Sequence, residues 1–166
     1  MQADLILNKT QTDIYTRCGF DISNIELTPE SKDYDACKFQ LNGLHILCRT
    51  AKVTPKKAGQ FVVFWKRLES GVIAPFHETD SIDFYVVNCL SENGFGQFVF
   101  PKSILIKKGI ISTTKKEGKR AFRVYTKWDV VKSKQAQQTK TWQQPYFYEI
   151  HAETNLKTAQ ALYAKQ

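Results

Sequence analysis

The chain has 166 residues, 42% of them apolar and 13% aromatic, with 24 Lys/Arg against 16 Asp/Glu for a net charge of +8. That is enough apolar material for one packed core and too much for a disordered chain. No run of about 18 apolar residues exists to cross a membrane, and the start MQADLILNKTQ lacks the basic-then-apolar order of a signal peptide; the sequence reads as soluble and cytoplasmic, with no membrane insertion.

From Ala3 to about Cys18 the apolar positions Leu5, Ile6, Ile14, Tyr15 and Cys18 suit an amphipathic helix, with Gly19 as its stop. Phe20 to Cys37 carries five acids and turn chemistry at Thr28-Pro29, and reads as a linking loop. Cys37 to Leu41 and Leu44 to Ala51 are strands joined at Asn42-Gly43, the strongest hairpin signal in the chain. On the second strand Ile46, Cys48 and Thr50 share one face and Leu47, Arg49 and Ala51 the other. The turn Thr54-Pro55-Lys56-Lys57-Ala58-Gly59 leads into a third strand, Gln60 to Arg67.

Glu69 to Ser81 is expected to be irregular, whereas Ile82 to Leu90 is a near-continuous apolar run of the kind found in a central strand covered on both faces. Gln97 to Phe100 pairs back after the turn SENGFG, and Pro101 opens a helix that stops at Gly109. A cationic turn, Lys115 to Arg120, precedes a strand from Ala121 to Tyr125. Asp129 is placed to cap a helix running through SKQAQQTKTWQ, and helical spacing returns from Glu153 to Lys165. The order predicts a single domain spanning residues 1–166, α+β or α/β, with a mixed, mostly antiparallel sheet flanked by helices.

The charge is blocked. Residues 1–47 hold four Lys/Arg against seven acids, 48–67 six against none, 68–99 none against five, 100–140 twelve against two, and 141–166 two against two. Two strongly basic blocks make a field that attracts polyanions. Aromatic residues alternate with the cations in FVVFWKR and RAFRVYTKW, offering rings for bases beside charges for phosphates. Nucleic acid is therefore the expected partner. The contacting residues would be Arg49, Lys52, Lys56, Lys57, Trp65, Lys66, Arg67, Lys115, Lys116, Lys119, Arg120, Arg123 and Lys127, with the two cationic turns facing the same way.

The four cysteines, Cys18, Cys37, Cys48 and Cys89, have no zinc spacing and read as buried free thiols. His45, His77 and His151 are isolated, and His77-Glu78-Thr79-Asp80 reads as a solvated turn. Asp83 is expected to cap a turn or to pair with Lys102 or Arg123, and Trp142 and Gln143 to anchor a helix end.

The strings RTAKVTPKKAGQFVVFWKR, SIDFYVV, GQFVFPKSILIKKGIIS, KEGKRAFRVY and SKQAQQTKTWQ, in this order, resemble the MepB-like family, named for a small protein encoded beside a multidrug efflux transporter and its repressor. The resemblance implies a small bacterial cytosolic protein and no transporter. A looser resemblance is to the PD-(D/E)xK nucleases and implies a restriction-endonuclease-like core. In that pattern Lys52 is the lysine and Asp35 or Asp33 the upstream acid, but Thr50 stands where the second acid belongs. A metal-dependent endonuclease using magnesium or manganese would need Lys52 with acids drawn from Glu30, Asp35, Asp80 and Asp83. Without that acid the sequence favours a nucleic-acid binder with no catalysis and no cofactor; a regulatory adaptor meeting an acidic protein is the third reading.

Overall fold

The structure is a computed structural model that describes residues 2–164. Helix α1 (Gln2–Thr10) runs into a π-helical turn (Gln11–Tyr15), after which come the strands β1 (Ile22–Leu27), β2 (Cys37–Leu41), β3 (Leu44–Thr50), β4 (Lys52–Val53), β5 (Gln60–Val63), β6 (Trp65–Arg67) and β7 (Ile73–Pro75). The long pair β8 (Phe84–Ser91) and β9 (Gly94–Pro101) follows, then α2 (Lys102–Lys107), β10 (Ala121–Val124), α3 (Lys134–Gln143), β11 (Phe147–Glu149) and α4 (Leu156–Ala164).

The main sheet has the order β1-β2-β3-β8-β9-β11. All its pairings are antiparallel except β3 with β8, which run parallel with Cys48 opposite Val86. Asn42 and Gly43 take positive φ (51° and 81°), the condition for the two-residue turn that sets the β2–β3 register. The segment from β3 to β8 crosses over through a three-stranded sheet, β10-β5-β4, and the hairpin β6–β7.

Alternation along the strands sorts the core into two faces. Cys37, Phe39, Ile46, Cys48, Phe84, Val86 and Val99 pack with Ile14, Tyr15, Leu162 and Tyr163 from the helical elements. Leu47, Tyr85, Val87, Phe98 and Phe100 pack with Val62 and Val124 from the small sheet, Phe64 just after β5, and Leu105 from α2. The β8 run is apolar on both faces because both faces are covered, as its composition predicts. The architecture is thus a mixed, mostly antiparallel sheet between an all-helical layer and a layer of small sheet plus helices.

The first core face encloses a polar chain. The Tyr15 and Tyr163 hydroxyls lie 2.6 Å apart, Tyr163 and Tyr148 both donate to Gln97 Oε1 (2.7 and 2.8 Å), and Gln97 Nε2 donates to Asn88 Oδ1 (2.8 Å). Such buried groups are tolerated because each finds a partner.

Several elements differ from expectation. The loop expected from Phe20 to Cys37 contains β1, whose pairing is broken between Ser23 and Glu26 next to Asn24 at φ 53°. The Gln60–Arg67 run is two strands in two sheets: β5 pairs with β10 and β4, β6 pairs with β7, and Phe64 between them donates its N–H to Arg120 O (2.8 Å), one step beyond the Val63–Ala121 pair. Ile73–Pro75 forms a strand inside the segment expected to be irregular. Asp129 does not cap α3: its carboxylate accepts from Thr126 N and Thr126 Oγ1 (2.7 and 2.9 Å), and Ser133 is the N-cap, accepting from Ala136 N (3.1 Å). The helical tail is present as α4 up to Ala164; Lys165 lies outside the described residues.

Candidate functional site

The cationic turn before Gly59 is built by its neighbours. Arg123, on β10, spreads its guanidinium under the turn and donates to Thr54 Oγ1 (2.7 Å), to Ala58 O (2.9 and 3.2 Å) and to Gly59 O (3.1 Å). Gly59 has φ +78°, and an added Cβ would fall 2.6 Å from the Tyr125 ring and 2.8 Å from Val124 O, so the turn lies directly on the strand beneath it. Lys56, itself at φ +66°, and Lys57 project from this support and are exposed.

Helix α3 is fixed to the same strand. Gln143 is fully buried, with Oε1 accepting from Tyr125 N (2.8 Å) and Nε2 donating to Arg123 O (3.0 Å), so the side chain continues the β10 edge as another strand would. Between α3 and β10 lie two adjoining cavities that share Arg123, Tyr125, Ser133 and Ala136. One, of about 420 Å3, is bordered by Lys56, Lys57, Arg123 and Lys132. The other, of about 370 Å3, is bordered by Lys108, Lys119 and Arg123 together with Phe122, Tyr125 and Trp142. No Asp or Glu lines either cavity. Together they form a groove with cations on its walls and rings at one end. Concave surfaces carrying one sign of charge focus the field and concentrate the opposite ion.

A second locus lies at the far end of β3. The β2–β3 register, Cys37 opposite Cys48, sets Asp35 across from Thr50, and Lys52 follows with Nζ 4.6 Å from the centroid of the Tyr34 ring. Burial raises the Asp35 carboxyl above the ordinary carboxylate value, against the Thr50 hydroxyl and the Lys52 ammonium, which favour its charged form. Thr50 Oγ1 is itself buried and, among the described residues, meets no partner in good hydrogen-bond geometry. The other acids are engaged elsewhere. Glu30 pairs with Arg67, Asp80 accepts from Lys66 (2.7 Å) and His77 N (2.7 Å), and Asp83 accepts from His45 N (2.8 Å) at the opposite end of β3. Among the described residues no three His, Cys, Asp or Glu side chains gather where a cation could bind. One carboxylate beside a threonine does not fit the oxygen-rich site that magnesium or manganese requires.

Comparison with known proteins assigns the chain. The sequence profile of the MepB-like family matches residues 28–149. The chain belongs to the MepB-like family. The crystal structure of MepB is similar, with a TM-score of 0.77 and 31% identity over 90% of this chain and 97% of that chain. A bacterial homing endonuclease is similar at a lower level, with a TM-score of 0.42 and 17% identity over 80% of this chain and 74% of that chain. Curated proteins give no match.

In this MepB-like chain the structure separates the residues expected at a basic surface. Lys56, Lys57, Lys119 and Arg123 meet at the groove. The antiparallel β5–β10 pairing sets the Lys56–Lys57 turn and the Lys115–Arg120 turn at opposite ends of the ribbon, so the groove runs along it from one towards the other. Lys115 and Lys116 are exposed beyond its end, and Arg120 pairs with Glu117 (3.2 Å).

Arg49 is a correction: it is 2% exposed, its guanidinium lies 5.9 Å from the centroid of Phe76, and burial pulls its pKa down to about 10, so it forms no part of the surface. Trp65, Lys66 and Arg67 lie on the β6–β7 hairpin. There Arg67 stacks over Trp65 and, with Lys66 and Lys38, borders a cavity of about 510 Å3 whose lining also includes the acids Glu26 and Asp80, so that it mixes both signs of charge. Lys127 pairs with Glu149 outside the groove. Lys52 lies with Asp35 and not with the groove, and Asp33 is exposed. Asp83 does cap a neighbouring backbone group, while Lys102 reaches the carbonyls of Glu78 and Asp80 (2.9 and 2.5 Å). Sequence reading missed Lys108 and Lys132 as groove residues. Both belong to the block of twelve cations, but the first was assigned to a helix end and the second to a helix.

Three of the four free cysteines, Cys37, Cys48 and Cys89, are buried and Cys18 is half-buried. No helix among the described residues is long and apolar enough to cross a membrane.

Proposed function

We propose that this MepB-like protein binds nucleic acid through the groove between α3 and β10, by backbone contacts with little sequence preference and without cleavage. The observation that supports the reading is the acid-free lining of two adjoining cavities by Lys56, Lys57, Lys108, Lys119, Arg123 and Lys132. Six cations along one concave path match a row of phosphates better than a single anion, and ammonium groups on exposed stems read charge, not sequence. The rings at the end of the path suit a partner that carries aromatic surface as well as phosphate.

Fluorescence anisotropy with labelled oligonucleotides, followed from about 50 mM salt upwards, tests the proposal. Binding is expected at low salt, with log K falling linearly against log salt by about 0.7–0.9 per phosphate neutralised. The triple variant Lys56→Gln, Lys57→Gln, Lys132→Gln should lower both affinity and slope. No binding at low salt, or a slope near zero, refutes the proposal. If magnesium or manganese produces cleavage that disappears in Lys52→Ala, the non-catalytic part is wrong.

A further inference from the structure

The two cavities of the groove differ in chemistry, and the difference distinguishes one form of nucleic acid from another. The cavity of about 420 Å3 has aliphatic and cationic walls apart from Tyr125 and Ser133, whereas the neighbouring cavity of about 370 Å3 has Phe122, Tyr125 and Trp142 on its walls. These rings are backed by the core. Phe100 packs against Trp142 (5.6 Å between centroids) and against Phe122 (6.3 Å), and Phe122 meets Phe64 edge-on at 5.0 Å. All three rings on the cavity are only half-buried, so part of each remains open to it. Lys108 Nζ lies 5.6 Å from the Trp142 centroid, which brings a cation beside a ring within one concavity. Gln135 and Thr139 add an amide and a hydroxyl at its edge.

Resting on the nucleic-acid reading above, we infer that the groove selects unpaired strands: one base enters the ring-lined cavity while the flanking phosphates lie on Lys56, Lys57 and Lys132 in its neighbour. A base within a duplex has both faces stacked and its pairing edge occupied, and it cannot leave the helix to enter a concavity without breaking those contacts. An unpaired base brings a free face for the rings and a free edge for polar groups such as those of Gln135 and Thr139. A cavity of this volume is within the range of small-ligand sites, and its neighbour supplies charge for the phosphates on either side.

The test compares three labelled ligands of equal length at one salt concentration: single-stranded oligothymidylate, a strand of the same backbone whose central residues are abasic, and a blunt duplex. The abasic strand keeps the charge and removes the bases, so it isolates stacking without altering the protein. The base-bearing strand is expected to bind roughly tenfold or more tightly than either alternative, the loss typical of removing one stacked base. Its binding should also quench tryptophan fluorescence. Trp142→Ala should abolish the preference by lowering the base-bearing strand to the affinity of the abasic strand, with circular dichroism confirming the fold. Equal affinity for the base-bearing and abasic strands, or duplex binding as tight as single-strand binding, overturns the inference and leaves the nucleic-acid reading intact. No binding of any of the three overturns both.

Discussion

Replacing Arg123 with alanine removes one guanidinium that makes four contacts to the 54–59 turn: Thr54 Oγ1 at 2.7 Å, Ala58 O at 2.9 and 3.2 Å, and Gly59 O at 3.1 Å. A hydrogen bond from a charged donor contributes about 1.5–3 kcal/mol, but contacts made by one half-buried group overlap, and water can solvate part of what is lost. The expected net cost is therefore about 2 kcal/mol, a fall of roughly 4–8 °C in Tm for a domain of this size. Hydrogen exchange should accelerate at amides 54–60 before it does in β8. Arg123→Lys keeps the charge but lacks the planar fork, so it should recover less than half of the stability. It should also bind oligonucleotides more weakly than the intact protein, because the Lys56–Lys57 turn is then no longer held in place. A Tm within about 1 °C of the parent for both variants would show that the turn is held by something other than this residue.

Gly59→Ala should lower stability by about 2–5 kcal/mol in urea unfolding, combining positive-φ strain with a clash against Tyr125 and Val124. Gly43→Ala has a similar φ of +81° but open space around it, and should lose only the strain of about 1–2 kcal/mol. Arg49→Met should be neutral or stabilising by Tm and leave oligonucleotide affinity unchanged, since it replaces a buried cation, held among the described residues by Cys48 O and the Phe76 ring and by no carboxylate, with an apolar side chain of similar length. Asp35→Asn should stabilise the protein near neutral pH, with the gain disappearing in acid. Burial raises the folded-state carboxyl pKa above its unfolded value, so the cost of the charge is present above the folded pKa and absent below the unfolded one. Urea midpoints at neutral and acidic pH check this, and an equal effect at both would contradict it.

Local signals carried much of the architecture. Asn42-Gly43 placed the β2–β3 turn, and the unbroken apolar run in β8 announced a strand covered on both faces. The sequence did not carry the pairings between distant segments. That β3 runs parallel to β8 is set by a crossover through 33 residues with no long helix, and neither strand's composition encodes its partner. β1 was hidden because Asn24 interrupts the alternation that would mark it. Arg49 could have been placed: Ile46 and Cys48 on one face of β3 and Leu47 and Ala51 on the other are all apolar, which marks a strand buried on both sides and excludes an exposed cation. For the groove, sequence charge identified the two basic blocks, but only the β5–β10 register determined which of their members meet.

The Tyr15–Tyr163 contact has a consequence for biosynthesis. Tyr163 closes the first core face, with its ring 5.8 Å from Phe84 in the central strand and its hydroxyl on Gln97, some 66 residues earlier in the chain. A nascent chain can form the β2–β3 and β8–β9 hairpins early, yet Phe84 and Gln97 lack their Tyr163 contacts until α4 has left the ribosome. At about 5–20 residues per second, the stretch from Gln97 to Tyr163 takes several seconds to make. During that interval the face that α4 completes has only the N-terminal helical segment with Ile14 and Tyr15 to cover it, and apolar surface left open in this way is what makes a nascent chain prone to misassociate.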